Sequence, residues 1–149
     1  MKLIYKLSFG VHLFVGIGAM AGGLAAITSP LKPLGMPLEL LKNSPFTNYL
    51  IPGIILFAVI GLGNVISALT ICYKSKYQGY ISGTLGGALV IWIIVQCMML
   101  RAVAFLHVLF FIIGVIQGLL AITILFHKRL FPTNIVMKLY KEMKKRSLG

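Results

Sequence analysis

The sequence predicts an all-α integral membrane protein: a four-helix bundle with a long first external loop and a C-terminal amphipathic helix at the membrane interface. Four long stretches contain no charged residue, and short segments rich in Lys and Arg separate them. The chain is 59% hydrophobic and only 11% charged, whereas soluble domains carry about 25% charged residues. We predict one transmembrane domain over residues 1–149, with spans at 7–28, 48–72, 79–100 and 102–126 and a cytoplasmic basic tail at 127–149.

Each uncharged stretch is long enough to cross a bilayer as a helix. At about 1.5 Å per residue, roughly 20 residues cover the hydrocarbon core of about 30 Å. Lipid offers no hydrogen-bond partners, so every backbone polar group must be satisfied within the protein. The four stretches are therefore predicted to be helices.

The start of the chain admits two interpretations. Lys2 and Lys6 precede an apolar run, and Ala19-Met20-Ala21 has the small-x-small form of a signal-peptide cleavage site. The apolar run continues to Thr28, which makes it long enough to span a membrane. We favour an uncleaved first helix, with a cleaved signal peptide as the alternative.

The distribution of cations predicts the orientation. Of the 14 Lys and Arg residues, only Lys32, Lys42 and Arg101 lie outside if the N-terminus is cytoplasmic. Cytoplasmic segments carry an excess of Lys and Arg, so both termini are predicted to be cytoplasmic. The remaining eleven cations are Lys2, Lys6, Lys74, Lys76, Lys128, Arg129, Lys138, Lys141, Lys144, Lys145 and Arg146.

The connections differ in length. The first, residues 29–47, contains four prolines, and its segment 36–41 is predicted to form a short amphipathic turn that covers the outer end of the bundle. The second is only residues 73–78, and the third is essentially Arg101. Both short connections predict tight antiparallel hairpins.

Small residues at four-residue spacing predict where the helices pack, because close backbone approach replaces the hydrophobic effect inside lipid. The alternative is that one such face is left for a second copy or a partner protein. The pairs are Gly18 and Gly22, Gly63 and Ser67, Gly83 and Gly87, and Gly114 and Gly118.

Polar residues within the spans fall into two layers by depth. The inner layer is Asn64, Thr84 and Gln117, for which we expect interhelical hydrogen bonds that fix helix register. The outer layer either has the same role or forms a small binding pocket under the loop, with Glu39 and Arg101 paired across its top. Its members are Glu39, Tyr49, Gln96, Arg101 and His107.

The tail after Pro132 predicts an amphipathic helix that starts at a Thr133 cap. Apolar residues at helical spacing occupy one face, namely Ile135, Val136, Leu139, Tyr140 and Met143. The other face carries Lys138, Lys141, Lys144 and Lys145, which are predicted to contact anionic headgroups of the inner leaflet. The alternative is a disordered basic tail.

The sequence argues against most catalytic chemistry. Glu39 and Glu142 are the only acidic residues and lie outside the spans, so an intramembrane carboxylate relay is excluded. The predicted depths of His12 and His107, and of Cys72 and Cys97, are too different for a shared metal or a disulfide. We therefore expect no enzyme activity, metal or cofactor. We also expect no nucleic-acid partner, because no recognition fold remains outside the spans.

Two segments carry a resemblance to a known group of proteins. They are Ser44–Gly53, with the sequence SPFTNYLIPG, and Trp92–Gln96, with the sequence WIIVQ. Together with the span layout they resemble small four-span bacterial membrane proteins that have no assigned activity. The resemblance implies a bacterial plasma-membrane location and supplies no function.

Two functional hypotheses follow. The first is a non-catalytic accessory or assembly partner within a larger membrane complex or a homodimer. The alternative is a small carrier, flippase or binding protein for an apolar or lipid-like molecule.

The charge asymmetry makes a testable prediction about topology. A reporter fused near residue 40 should read as external, and one fused after residue 149 as cytoplasmic, because the cations are concentrated on the terminal side. Measuring an external C-terminus would contradict this orientation.

Overall fold

The computed structural model describes residues 2–73 and 75–147, excluding the side chains of 145–147. Lys74, predicted to be cytoplasmic, and the side chain of Lys145, predicted to contact lipid headgroups, lie outside the described part. All regular structure in the described residues is helical. The helices are α1 (Lys2–Thr28), α2 (Leu50–Cys72), α3 (Gln78–Leu100), α4 (Phe105–Lys128) and α5 (Thr133–Ser147).

Within the described residues, α1 to α4 are the helices long and apolar enough to cross a membrane. The all-α class and the four long apolar helices are thus confirmed, and they indicate a multi-pass membrane protein. About a third or fewer of the residues in the most apolar part of each helix are buried inside the protein. Each of these helices also has large apolar side chains that are exposed, among them Phe14, Ile66, Ile91 and Ile112.

Two helix boundaries differ by three residues or more from those predicted. Helix α1 begins at Lys2 rather than at residue 7, because Lys2 and Lys6 continue the helix instead of preceding it. Helix α4 begins at Phe105 rather than at residue 102. Arg101 adopts a left-handed conformation (φ 46°) that ends α3, and the extended Ala104 then donates its backbone N–H to His107 Nδ1 at 3.0 Å.

Helix α2 contains a π-helical segment over Leu56–Leu62, between α-helical segments at Leu50–Ile55 and Gly63–Cys72. The Asn64 side-chain amide donates to the Ile60 carbonyl at 2.8 Å, which ties this segment to the next turn. Single π-helical turns occur frequently at functional sites.

The helices pack most extensively as two pairs, α1 with α2 and α3 with α4. A Cβ built on Gly23 would lie 2.7 Å from the Phe57 nitrogen, and one on Gly86 would lie 3.0 Å from the Gly114 oxygen. The tightest positions on α1 and α3 therefore repeat at seven residues (Gly16 and Gly23, Gly79 and Gly86).

The predicted four-residue steps are observed only in part. A Cβ on Gly63 or Gly114 would lie 2.8 Å from the side chain of Leu85 or Val90. A Cβ on Gly22 would make only ordinary contact, and one on Gly87 or Gly118 would meet nothing within 4 Å. Spacing along one helix does not give the face that meets its neighbour, so the closest approaches on α1 and α3 are at Gly16, Gly23, Gly79 and Gly86.

The 29–49 connection folds back over one end of the helices, which we call the loop end; the opposite end, near residues 2 and 128, is the terminal end. Short 3₁₀ turns occur at Pro33–Gly35 and Leu38–Leu41. Leu41, only 4% exposed, packs in a cluster with Ala26, Tyr49 and Met99. Apolar burial therefore holds the connection against the helices.

Helix α5 is attached to the end of α4. The Thr133 hydroxyl lies 2.9 Å from the Leu125 carbonyl oxygen and 2.5 Å from that of Leu130, so it binds the end of α4 instead of capping its own helix as predicted. The apolar face of α5 is 48–63% exposed and does not pack on the other helices.

The glycine contacts make a prediction about stability. Gly86→Ala should lower the free energy of unfolding by about 1–3 kcal/mol, because the added methyl group would lie 3.0 Å from the backbone of α4. The matched control is Gly87→Ala, where nothing lies within 4 Å and only the gain of about 0.5–1 kcal/mol from replacing a helical glycine should remain. Thermal unfolding in detergent measures both. Equal effects would contradict the α3–α4 packing described here.

Candidate functional site

A partly open cavity of about 530 Å³ lies at the loop end, lined by α1 to α4 and the 29–49 connection. Its lining is largely apolar. The deepest lining residues by helix register are Val15, Ile60 and Leu89, which are themselves 0–2% exposed and belong to the central core. The polar lining residues are Tyr49, Trp92, Gln96 and His107.

Three of the five residues predicted for the outer polar layer line this cavity: Tyr49, Gln96 and His107. Glu39 and Arg101 do not line it, and both side chains are exposed. Within the described part of the chain, they form no ion pair at a 4.0 Å limit. The predicted pair is wrong because Leu41, not Glu39, is the residue of that turn that enters the bundle.

Tyr49 connects the cavity wall to the connection above it. It precedes α2, and its hydroxyl donates to the Pro37 carbonyl at 2.9 Å. Burial raises the pKa of Tyr49, and the negative charge of Glu39 raises it further. The Tyr49 hydroxyl therefore stays protonated and keeps its hydrogen bond to the Pro37 carbonyl.

His107 offers a hydrogen-bond donor at the cavity, whereas the indole nitrogen of Trp92 has almost no accessible surface. Because His107 Nδ1 accepts the Ala104 backbone N–H, the proton of the neutral ring is on Nε2. The indole N–H of Trp92 is buried and has no hydrogen-bond partner among the described residues. Gln96 adds an amide to the same lining.

A second, more open groove of about 400 Å³ lies along α3 and α4. It is lined by apolar side chains that include Ile94, Met98 and Phe111, and it shares Ile93 and His107 with the cavity. These two shared side chains stand between the cavity and the apolar groove.

A separate cluster of polar side chains lies nearer the terminal end and joins all four long helices. His12 of α1 lies 2.6 Å from Asn64 of α2 and 2.5 Å from Ser82 of α3. Gln117 of α4 donates from Nε2 to Asn64 Oδ1 at 2.7 Å. All four residues have 0% exposure.

The distances assign the protons within this polar cluster. His12 Nδ1 is 2.6 Å from a carbonyl oxygen, so it carries a proton and donates to Asn64. Asn64 is fixed in orientation because its Nδ2 donates to Ile60. In the neutral ring, Nε2 of His12 then accepts from the Ser82 hydroxyl.

The inner layer predicted from sequence is present in part. Asn64 and Gln117 are hydrogen-bonded to each other, but Thr84 is exposed and Ser82 occupies its place. The predicted depth on α3 was close and the face was wrong, since residues two apart lie about 200° around a helix.

Sequence reasoning missed His12 as a member of the cluster. It placed His12 five residues from the start of a span beginning at residue 7, whereas α1 begins at Lys2, ten residues before His12. The signal was available, because a histidine in an otherwise apolar span is rare and usually paired.

Three more buried polar residues lie one helical turn toward the terminal end. By helical spacing, Ser8, Ser67 and Gln78 share faces with His12, Asn64 and Ser82 respectively. Their side-chain polar atoms have no hydrogen-bond partner within the described residues. The polar interior thus extends from the cluster toward the terminal end, away from the cavity.

No group of three or more His, Cys, Asp or Glu residues able to hold a metal occurs in the described part of the chain. Cys72 and Cys97 are free thiols. Comparison with protein-family models, with curated proteins and with solved structures gives no match. The geometry of the cavity and of the polar cluster is what bears on function.

The polar cluster makes a prediction about stability. Asn64→Leu removes the acceptor for His12 and Gln117 and leaves both buried, so the free energy of unfolding should fall by about 1–3 kcal/mol. Thr84→Val is the matched control, because this exposed hydroxyl lies outside the cluster. Unfolding in detergent measures both variants.

The double variant His12→Leu/Asn64→Leu should lose less than the sum of the two single variants, because each single change already breaks the shared hydrogen bond. Additive losses, or a Thr84→Val effect as large as that of Asn64→Leu, would contradict the cluster.

Proposed function

We propose that this chain is a multi-pass protein of the bacterial plasma membrane that binds a small, largely apolar, lipid-like molecule. The single observation that carries the proposal is the cavity of about 530 Å³ at the loop end. Ligand pockets in proteins are typically roughly 300–1,000 Å³ and mostly apolar, with a few convergent polar groups. The cavity has this size and this kind of lining.

The depth profile supports a binding site more than an open channel. Val15, Ile60 and Leu89 are 0–2% exposed and lie between the cavity and the polar cluster. A continuous polar path through the bundle would need polar groups in this layer. The cavity therefore ends in an apolar floor.

Ile60, at the deep end of the cavity, belongs to the π-helical segment of α2, and its carbonyl accepts a hydrogen bond from the Asn64 side chain of the polar cluster. In a carrier or flippase, a rearrangement of this segment would displace Ile60 and open the deep end of the cavity. In a binding protein, Ile60 would keep its position.

We also propose how the chain is oriented in the membrane. The concentration of Lys and Arg on the terminal side supports cytoplasmic termini and an external loop end. Helix α5 then lies on the inner leaflet, with its exposed apolar face in the acyl region and Lys138, Lys141 and Lys144 toward anionic headgroups. The reporter fusion after residue 149 tests this placement too, because an external C-terminus would exclude it.

An accessory role in a larger membrane complex or homodimer is the second candidate. The observation in its favour is the exposed Gly87, where nothing lies within 4 Å of an added Cβ and another helix backbone could approach closely. A protein that co-purifies stoichiometrically with wild type and is lost on Gly87→Leu would favour this role.

Filling the cavity tests the primary proposal. Gly22 lines the cavity, so Gly22→Leu should reduce labelling by a photoreactive C16 hydrocarbon in detergent micelles several-fold, because the leucine side chain takes part of the volume. Gly10→Leu is the matched control on the same helix, since nothing lies within 4 Å of Gly10. Mass spectrometry measures the labelled fraction and its position.

Equal labelling of wild type and Gly22→Leu, with the label outside the cavity-lining peptides, would rule out the cavity as the binding site.

A further inference from the structure

We propose that the occupant of the cavity is an uncharged lipid with a hydrogen-bond-accepting carbonyl, such as a long-chain ester, which comes from the bilayer hydrocarbon. This inference rests on the proposed function, because it assumes that the cavity is a binding site. Beyond the proposed function, it specifies that the ligand is uncharged, that its polar group is a carbonyl, and that it enters from the bilayer.

The lining excludes a charged ligand group. No Lys, Arg, Asp or Glu is among the described residues that line the cavity. Burying an ionised group without a partner costs several kcal/mol or more, depending on how it relaxes. The exposed Glu39 and Arg101 lie outside the lining and offer no compensation within it.

The polar lining groups are mainly donors. In the neutral ring, His107 donates from Nε2, because its Nδ1 is occupied by the Ala104 amide. The Tyr49 hydroxyl already donates its proton to the Pro37 carbonyl, so it has no proton left to donate to a ligand. Gln96 adds an amide that can donate as well. A ligand that accepts hydrogen bonds satisfies these groups, and a pure hydrocarbon does not.

The polar and apolar ends of the cavity are ordered by depth. Gln96 lies one turn of α3 from Trp92 toward the loop end, and Leu89 lies on the opposite side of Trp92, toward the floor. His107 is in the first turn of α4, also at the loop end. The donors are therefore near one membrane surface and the apolar floor is deeper, which matches a lipid whose carbonyl lies near the surface.

The groove on α3 and α4 points to the bilayer as the source. It is apolar, more open than the cavity, and shares Ile93 and His107 with it. A lipid chain in the groove would contact Ile93 and His107, which also line the cavity. A water-soluble ligand would gain nothing from such an approach.

The test compares three photoreactive C16 probes that differ only at one end: a methyl ester, a carboxylate and a plain hydrocarbon. With the full chain in lipid nanodiscs, the ester should label the cavity-lining peptides roughly two- to tenfold more than the other two, as expected for one net hydrogen bond. Gln96→Leu should reduce ester labelling toward the hydrocarbon level. Thr84→Val, which removes an exposed hydroxyl from the same helix, should leave it unchanged.

A competition measurement on the wild-type protein gives a second test, whose result does not depend on whether the Gln96→Leu variant folds. Unlabelled methyl ester should displace the ester probe more effectively than hexadecane does. His107 is left intact in these variants, because it also holds the start of α4 through the Ala104 amide.

The outcomes separate this inference from the proposed function. Equal labelling by all three probes, unaffected by Gln96→Leu, would overturn the carbonyl inference and leave an apolar binding site. Preference for the carboxylate would overturn the uncharged class. Absence of label from the cavity peptides with every probe would overturn the proposed function itself.

Discussion

The polar cluster of His12, Asn64, Ser82 and Gln117 is the constraint on which the rest of the structure depends. Each residue comes from a different long helix, and all four are fully buried. Inside lipid, apolar contact alone does not select one helix arrangement, because lipid tails are as apolar as the side chains. Hydrogen bonds that require four helices at one depth and one rotation do select it.

This constraint also places the cavity. Once the cluster holds the helices together toward the terminal end, the glycine contacts bring α1 against α2 and α3 against α4. At the loop end the later start of α4 and the apolar 29–49 connection leave a partly open cavity in place of a packed core. The cavity and the cluster are linked through Ile60, which lines the former and hydrogen-bonds to Asn64 of the latter.

The separation of these two features bears on function. The cavity is apolar with a few donors at its shallow end, and the polar cluster is sealed from it by Val15, Ile60 and Leu89. The cavity fits the proposed carbonyl-bearing lipid. The polar cluster fits a role in fixing the alignment of the four helices. The unpartnered side-chain atoms of Ser8, Ser67 and Gln78 mark the part of the described interior where polar burial is least compensated.

The sequence by itself determined the class of the protein, because uncharged runs of this length can only satisfy their backbones as helices in lipid. It also identified Tyr49, Gln96 and His107, and Asn64 with Gln117, since depth along a helix follows directly from residue number. Rotation about the helix axis was decided only by the tertiary structure. A helix that is apolar all round gives no hydrophobic face to read. The sequence therefore named Thr84 where the structure buries Ser82, and it missed the close contacts of Gly16, Gly23, Gly79 and Gly86.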